Sequence, residues 1–252
     1  MTGMRFVPLG VGDAFTALHY STCLAVEAEG GWLLVDCPHP IRKMMLEAGA
    51  RSAKDVCAER VLGVALTHLH ADHASGLEGL AYYFRFVLGK RLPLLVHPRV
   101  AARLWEGHLA AGMEQLLPAV GAEPVAMGLE DYLDVTYLDE TKPVTFGPFQ
   151  AECRATIHHV PTYALRLAAG GRTLGHSADT AFDPSLVDWL AEADVMVHET
   201  NFGVHTPYER LAALPAELRA RMRLMHYPDG FDVDGSVIEP LREGTVYEVE
   251  RR

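Results

Sequence analysis

The chain has 252 residues, of which 49% are hydrophobic and 22% are charged, as in an ordinary globular protein. A chain of this length buries most of its unfolded surface, so its folding requires neither disulfides nor a structural metal. Its formal net charge of −11 disfavours a large nucleic acid as partner, because nucleic-acid binders usually present a basic face.

The four cysteines are scattered along the chain and form no CxxC pair. This spacing indicates free, buried thiols in a reducing compartment rather than a disulfide framework or a thiolate metal site. The N-terminal residues do not resemble a signal peptide, and no apolar run approaches the roughly 18 residues of a membrane span. We therefore expect a cytoplasmic chain with no membrane partner.

The first half of the chain alternates short strands and helices. Strands are predicted over residues 5–9, 23–27, 32–36, 61–67 and 93–97, and helices over residues 40–46, from residue 76 and from residue 98. The apolar run over 61–67 contains no charged residue and ends in a histidine cluster. It is typical of a buried strand with functional groups at its carboxyl end.

The second half begins with a stretch, residues 113–139, that has no readable pattern. After it, strands are predicted over 143–146, 151–158, 165–168, 172–174, 194–198, 223–226 and 245–249, and helices over 184–191 and 215–221. No linker-like run and no repeat divides the chain, so one domain over residues 1–252 is predicted. The element pattern permits a layered α/β protein without identifying one.

The segment from Thr67 to His73 reads THLHADH and carries the clearest chemical signal. Three imidazoles and one carboxylate within six residues are the ligand types that zinc takes in catalytic sites. In an extended segment His68 and His70 point to the same side, so both can reach one ion. Asp72 and His73 follow at a turn, where they can reach a second ion.

An HxHxDH motif after an apolar strand resembles the metallo-β-lactamase superfamily. The resemblance implies a four-layer αβ/βα sandwich with two metal ions at the edge between two sheets. It also implies three further ligands, in the order His, Asp, His.

The remaining ligands can be assigned through that resemblance. His158 follows a predicted strand in the segment HHVPTY, which is similar to the third motif of ribonuclease Z-like members. A slip of one residue would make His159 the ligand instead. Asp179, in the segment GHSADT, matches the aspartate that bridges the two metals, and His226 at a strand end matches the final ligand.

Two further residues are implicated by the same resemblance. Glu199, in the segment HETNF, resembles the HEATF segment of ribonuclease Z. His205 lies 226 − 205 = 21 residues before the last ligand, close to the family's separation. The resemblance makes His205 the general acid for the leaving oxygen and Glu199 its orienting partner, whereas Asp72 orients the nucleophile. The remaining histidines are expected to be structural, with His19 the first exception to consider.

The sequence departs from ribonuclease Z in two places. His158 and Asp179 are only 179 − 158 = 21 residues apart, which leaves no room for the arm that grips transfer RNA. The final motif reads HYPD rather than HxS. The GHTPGH segment of glyoxalase II and lactonases is absent, which favours the phosphodiesterase branch.

The resemblance therefore implies a binuclear hydrolase, acting on a small phosphodiester, with two divalent ions. Zinc is the first expectation for the metal, with manganese or iron as alternatives. An ester, thioester or lactone hydrolase and a non-catalytic metal- or ligand-binding module stay open as alternatives. A diiron oxygen-reducing protein is disfavoured, because that branch has glutamate where this chain has His70. The expected partner is a small-molecule substrate, and a homodimer stays open.

Overall fold

The computed structural model of the chain describes residues 3–252. Two seven-stranded sheets dominate it, and a small ribbon pairs Gln115–Leu116 with Val125–Ala126. Within the described residues, no helix is long and apolar enough to cross a membrane. The cysteines are free thiols, and Cys57 differs from our expectation because it is partly exposed beside a surface turn.

The first sheet is formed mainly by the N-terminal half of the chain. Its strands, in spatial order, are Tyr247–Glu248, Arg5–Gly10, Cys23–Ala28, Gly31–Val35, Val61–Leu66, Leu92–Val96 and Leu133–Tyr137. The last four of these strands are parallel. Because the carboxyl ends of parallel strands meet at one edge, the segments after Val35 and Leu66 lie side by side.

The second sheet is formed by the C-terminal half. Its strands, in spatial order, are Glu239–Pro240, Met222–Met225, Val195–Glu199, Arg172–His176, Tyr163–Ala169, Phe149–Ala155 and Val144–Phe146. The first four are mutually parallel, so the segments after His176, Glu199 and Met225 meet at one edge.

Helices cover the outer faces of the sheets. Their bounds are Ile41–Ser52, Ala71–Ala74, Leu77–Phe86, Pro98–Leu104, Ala110–Met113, Pro184–Leu190, Tyr208–Ala212 and Ala216–Ala220, with a single π turn over Trp105–Leu109 and short 3-10 turns over Ala58–Arg60 and Leu129–Asp131.

Strand alternation explains how the layers pack. Val195 and Val197 belong to the large core between the sheets, whereas Met196, between them in the strand, packs outward with Leu186 and Leu190. Successive strand residues point to opposite faces, so each buried strand serves two cores. The layers follow the order helix, sheet, sheet, helix, which confirms the predicted αβ/βα sandwich. The assignment of the whole chain to one domain stays a prediction.

Several element boundaries differ from the sequence prediction. Residues 113–139, which had no recognisable pattern, contain the strand Leu133–Tyr137. It is an edge strand, and within it only Leu133 is fully buried. The first helix extends to Ser52, and Ala48 continues the buried face of Met44 and Met45 beyond the predicted end at residue 46. The helix Tyr208–Ala212 was not predicted, since only Leu211 in its five residues is buried.

Candidate metal centre

The predicted ligands come from both sheets and meet where the parallel strands end. His68, His70, Asp72 and His73 follow the strand Val61–Leu66 of the first sheet. Asp179 and His226 follow strands of the second sheet. Their side chains form two contiguous groups, and Asp179 lies within reach of both. In α/β proteins, bound substrates and cofactors commonly lie outside the carboxyl ends of the strands, and the predicted metal-binding side chains meet at that position.

The first group consists of His68, His70, His158 and Asp179. Nδ1 of His70 lies 3.1 Å from Nε2 of His68 and 3.3 Å from Nε2 of His158. Oδ2 of Asp179 lies 3.6 Å from Nε2 of His68. Tetrahedral zinc with bonds of about 2.0–2.2 Å places its ligand atoms about 3.3–3.6 Å apart. The observed spacings of 3.1–3.6 Å are close to that range and are compatible with four atoms around one ion.

The second group consists of Asp72, His73 and His226, with Asp179 beside it. Nε2 of His73 lies 3.4 Å from Oδ2 of Asp72 and 3.3 Å from Oδ1 of Asp179. Nε2 of His226 lies 3.6 Å from Oδ2 of Asp179. These separations also fit the ligand atoms of one ion.

Nε2 of His73 supplies an independent sign that the centre is suited to a cation. This nitrogen is fully buried and has no hydrogen-bond partner. An unpartnered buried polar atom is costly, and coordination to a metal would satisfy it. Since Asp179 is adjacent to both groups, its carboxylate is placed to bridge two ions.

The electrostatics of the cluster favour neutral imidazoles at His68 and His158 and a positive charge beside the carboxylates. Burial lowers the pKa of His68 well below its ordinary value and lowers that of His158 to about 4. Burial also lowers the pKa of His73, but the Asp179 and Asp36 carboxylates outweigh it and hold the pKa well above the usual value. The two carboxylates therefore favour positive charge at the position of His73.

A buried aspartate that the sequence did not reveal orients two of the predicted ligands. Asp36 is fully buried, and its Oδ2 accepts from Nδ1 of His73 at 2.7 Å. Its carboxylate also accepts from the Thr67 hydroxyl at 2.9 Å, and Thr67 Oγ1 lies 2.9 Å from Nδ1 of His68. Such partners fix the tautomer and orientation of metal-binding histidines. Its position directly after a buried strand was the one sequence signal that could have found it.

Thr22 performs the same role for the last ligand. Its hydroxyl lies 3.0 Å from Nδ1 of His226, so Nε2 is left free to face Asp179. Thr22 and His226 are 204 positions apart, and no local pattern connects them.

Three positions around the centre adopt left-handed backbone conformations. Asp36, Ala178 and His226 have φ values of 65°, 51° and 56°, which non-glycine residues adopt infrequently. Such conformations persist where the surrounding structure holds them, and they cluster at functional sites. These unfavourable backbone conformations orient the side chain of Asp36 and the segments that carry Asp179 and His226.

His205 and Glu199 form a hydrogen-bonded pair beside the centre. Nδ1 of His205 lies 2.9 Å from Oε1 of Glu199, which also accepts from the Thr180 amide at 2.6 Å. The His205 ring centroid is 5.2 Å from that of His226, and one of its nitrogens is close to Asp179 and His226. The structure therefore places this predicted pair at the edge of the second group.

The pair is electrostatically coupled. Burial raises the pKa of Glu199 to about 7, although its hydrogen bond with His205 opposes the rise. Burial lowers the pKa of His205, but the hydrogen bond and the charge of Glu199 outweigh it and raise the pKa above the usual value. Glu199 therefore favours a protonated His205, the form that a general acid requires.

Geometry favours His158 over His159 as the ligand. Nε2 of His158 faces His70 and lies 3.9 Å from Oδ2 of Asp179, whereas His159 is exposed. The predicted strand over 151–158 was too long, since it ends at Ala155. The backbone amide of Thr156 donates to the Thr162 carbonyl and closes a short loop that carries both histidines out of the sheet.

The histidines expected to be structural lie outside the ligand groups. His97 stacks on Tyr163 at 3.7 Å, and buried His176 accepts from the amide of Ala178. His108 lies 3.2 Å from the carbonyl of Ala74. His39 is exposed, and His19 rests against the ring of Tyr227 at 5.6 Å.

Most of the chain matches a known protein family. The family described as "Anti-Pycsar protein Apyc1" matches residues 4–240. The chain is 32% identical over 248 residues to an Apyc1 protein of Bacillus phage BSP38, covering 92% of this chain and 91% of the relative. It is 29% identical over 259 residues to an Apyc1 protein of Saccharibacillus brassicae, covering 98% and 100%.

Solved structures support the fold. The metallo-β-lactamase fold protein YhfI from Bacillus subtilis superimposes with a TM-score of 0.76 at 20% identity, over 98% of this chain and 100% of that one. The short form of human tRNase Z superimposes with a TM-score of 0.68 at 19% identity, over 98% and 99%. These likenesses confirm the metallo-β-lactamase fold, and the His/Asp cluster is suited to metal binding.

Proposed function

The chain belongs to the Apyc1 family of anti-Pycsar proteins, and from this premise we propose that it is a metal-dependent phosphodiesterase acting on a small phosphodiester. The family name describes an antagonist of Pycsar rather than a reaction. Support for the reaction comes from the centre itself. The observation that carries the proposal is the position of Asp179 between two ligand groups whose spacings each suit one ion.

Two zinc ions are proposed for the centre, one in each ligand group. When bound, such ions activate water near neutral pH and offset the negative charge of a phosphoryl group. The ligands return only part of that charge, since Asp72 and Asp179 are the two carboxylates among them. The resulting positive centre favours an anionic group as the part of the substrate that reacts.

The chain's own groups supply the positioning and the proton. The carboxylate of Asp72, partly exposed at the centre, accepts a hydrogen bond from the attacking water and aims it at phosphorus. His205 donates a proton to the leaving oxygen, and Glu199 holds its ring through Nδ1. A positioned acid of this kind contributes about 10²–10⁴-fold in rate.

The size of the substrate is inferred from charge. Long polyanions are bound through lysine and arginine contacts to many phosphates, whereas this chain has a net charge of −11. A 3′,5′-cyclic nucleotide is a phosphodiester with a single negative charge, so it suits a positive centre in an acidic protein. We therefore propose a cyclic nucleotide as the substrate class. A cytoplasmic setting is part of the same proposal.

The test compares substrates by kcat/KM on one zinc-loaded preparation. Cyclic AMP, cyclic CMP and bis(p-nitrophenyl) phosphate represent phosphodiesters, with a lactone, a thioester and a precursor transfer RNA beside them. We expect cyclic nucleotides to be cleaved best and the transfer RNA weakly. A wide preference for the lactone or thioester would overturn the proposal in favour of a carbonyl hydrolase, and hydrolysis of no substrate would favour a binding module.

A further inference from the structure

A cavity of about 380 Å³ lies between the loop that follows Glu199 and the segment that follows His226. We propose that this cavity binds the nucleobase of the substrate, an inference that rests on the proposed function. Its volume lies within the range of about 300–1,000 Å³ that is usual for small-molecule sites.

The position of the cavity relative to His205 gives the first argument. Phe202 precedes His205 in the loop, Pro207 and Tyr208 follow it, and all three line the cavity. Pro228, two residues after His226, also lines the cavity. In the proposed function His205 serves the leaving oxygen, which belongs to the nucleoside, so the loop that carries this residue also forms part of the cavity.

Aromatic packing gives the cavity a fixed wall. The Tyr208 and Phe231 rings meet edge to face at 5.3 Å, and Phe231 stacks on Tyr227 at the same distance. The Tyr208 hydroxyl accepts from the amide of Val237 at 2.7 Å, which fixes the ring. The packed rings of Tyr227, Phe231 and Tyr208 therefore connect the residue after His226 to the cavity.

Phe202 supplies the free surface on which a base can stack. Phe202 is 75% exposed although it lines the cavity, so it remains open to a ligand. The side chain of Asn201 holds the loop by accepting from the Phe202 amide at 2.7 Å and donating to Asp13 at 2.9 Å. The aromatic ring is thus presented on a braced backbone.

The charge of the cavity favours a base over a phosphate as the group that binds there. The described residues that line it include the carboxylates of Glu209 and Asp232 but no lysine or arginine. Carboxylates repel a phosphate and accept hydrogen bonds from the amino and ring N–H groups of a base. In this proposal the metal centre takes the phosphate of the nucleotide and the cavity takes its base.

Calorimetric titration of zinc-loaded protein with adenosine 5′-monophosphate and with ribose 5-phosphate tests the assignment. Both probes carry the same phosphate, and only the first carries a base. Stacking of a base on an aromatic side chain typically changes affinity by about 5–150-fold. We expect the nucleotide to bind about tenfold or more tightly than the sugar phosphate.

Substitution of Phe202 completes the test. Phe202→Ala should remove most of the preference without changing ribose 5-phosphate binding, and Phe202→Trp should retain it. Val204→Ala is the matched control, because Val204 is exposed on the same loop but does not line the cavity. Equal affinity of the wild type for both probes, or equal weakening of both by Phe202→Ala, would overturn the assignment.

The mass of each variant in solution is measured beside the titrations. If Phe202→Ala changes the oligomeric mass and leaves the nucleotide preference intact, Phe202 contacts a second copy and the assignment is wrong. If the nucleotide preference follows Phe202 but no phosphodiester is hydrolysed, the cavity assignment stands and the proposed function fails. If phosphodiesters are hydrolysed without any such preference, the proposed function stands and the cavity assignment fails.

Discussion

Asp36 and His73 are joined by a 2.7 Å contact between a carboxylate oxygen and Nδ1, and both side chains are completely buried. The contact fixes the His73 ring with Nε2 directed at Asp72 and Asp179. The same carboxylate holds Thr67, which is hydrogen-bonded to His68. One residue thus orients a ligand in each of the two groups.

Asp36→Asn should weaken zinc binding by about 10–100-fold, the usual cost of losing such a partner. The amide keeps the size of the carboxylate but lacks its charge, so it holds the imidazole less firmly. Competition with a chromogenic chelator measures the affinity. Asp134→Asn is the control, since Asp134 is exposed on an edge strand. Unchanged zinc affinity in Asp36→Asn would show that the buried contact is dispensable.

His205→Ala should lower kcat by roughly 10²-fold or more while metal content stays near that of the wild type. Substrates with good leaving groups should lose less activity, because their leaving oxygen needs little protonation. Steady-state rates and metal analysis are made on the same preparation. His39→Ala, a change at an exposed histidine, is the control. Loss of metal from His205→Ala would assign this residue to the ligands instead.

Glu199→Gln should move the basic limb of the kcat profile to lower pH. The hydrogen bond and charge of Glu199 raise the pKa of His205 against the effect of burial. A general acid is active when protonated, so activity falls as pH rises through that pKa. Removing the charge lowers the pKa and brings the fall to lower pH. A basic limb that stays in place would separate Glu199 from the proton transfer.

The sequence was informative where the chemistry is local. His68, His70, Asp72 and His73 lie within six residues, so spacing and strand context sufficed to predict a metal site. Asp179 and the more distant ligands needed the resemblance, because their order has meaning only within a known fold.

Long-range contacts could not be predicted in the same way. Asp36 and His73 are 37 positions apart, and Thr22 and His226 are 204 apart. One strand also ended earlier than predicted, at Ala155, because the chain leaves the sheet between Thr156 and Thr162, which are joined across the loop by a hydrogen bond. The helix or strand propensity of a short segment carries no information about such tertiary contacts.

The metal content of two variants tests the binuclear centre most directly. The wild type, reconstituted with zinc and desalted, should retain about two ions per chain. His70 belongs to the first ligand group alone, so His70→Ala should retain about one ion. Asp179→Ala should retain fewer ions than His70→Ala, because Asp179 faces both groups. If Asp179→Ala keeps the full metal content of the wild type, or if the wild type binds no zinc, a centre bridged by Asp179 is contradicted.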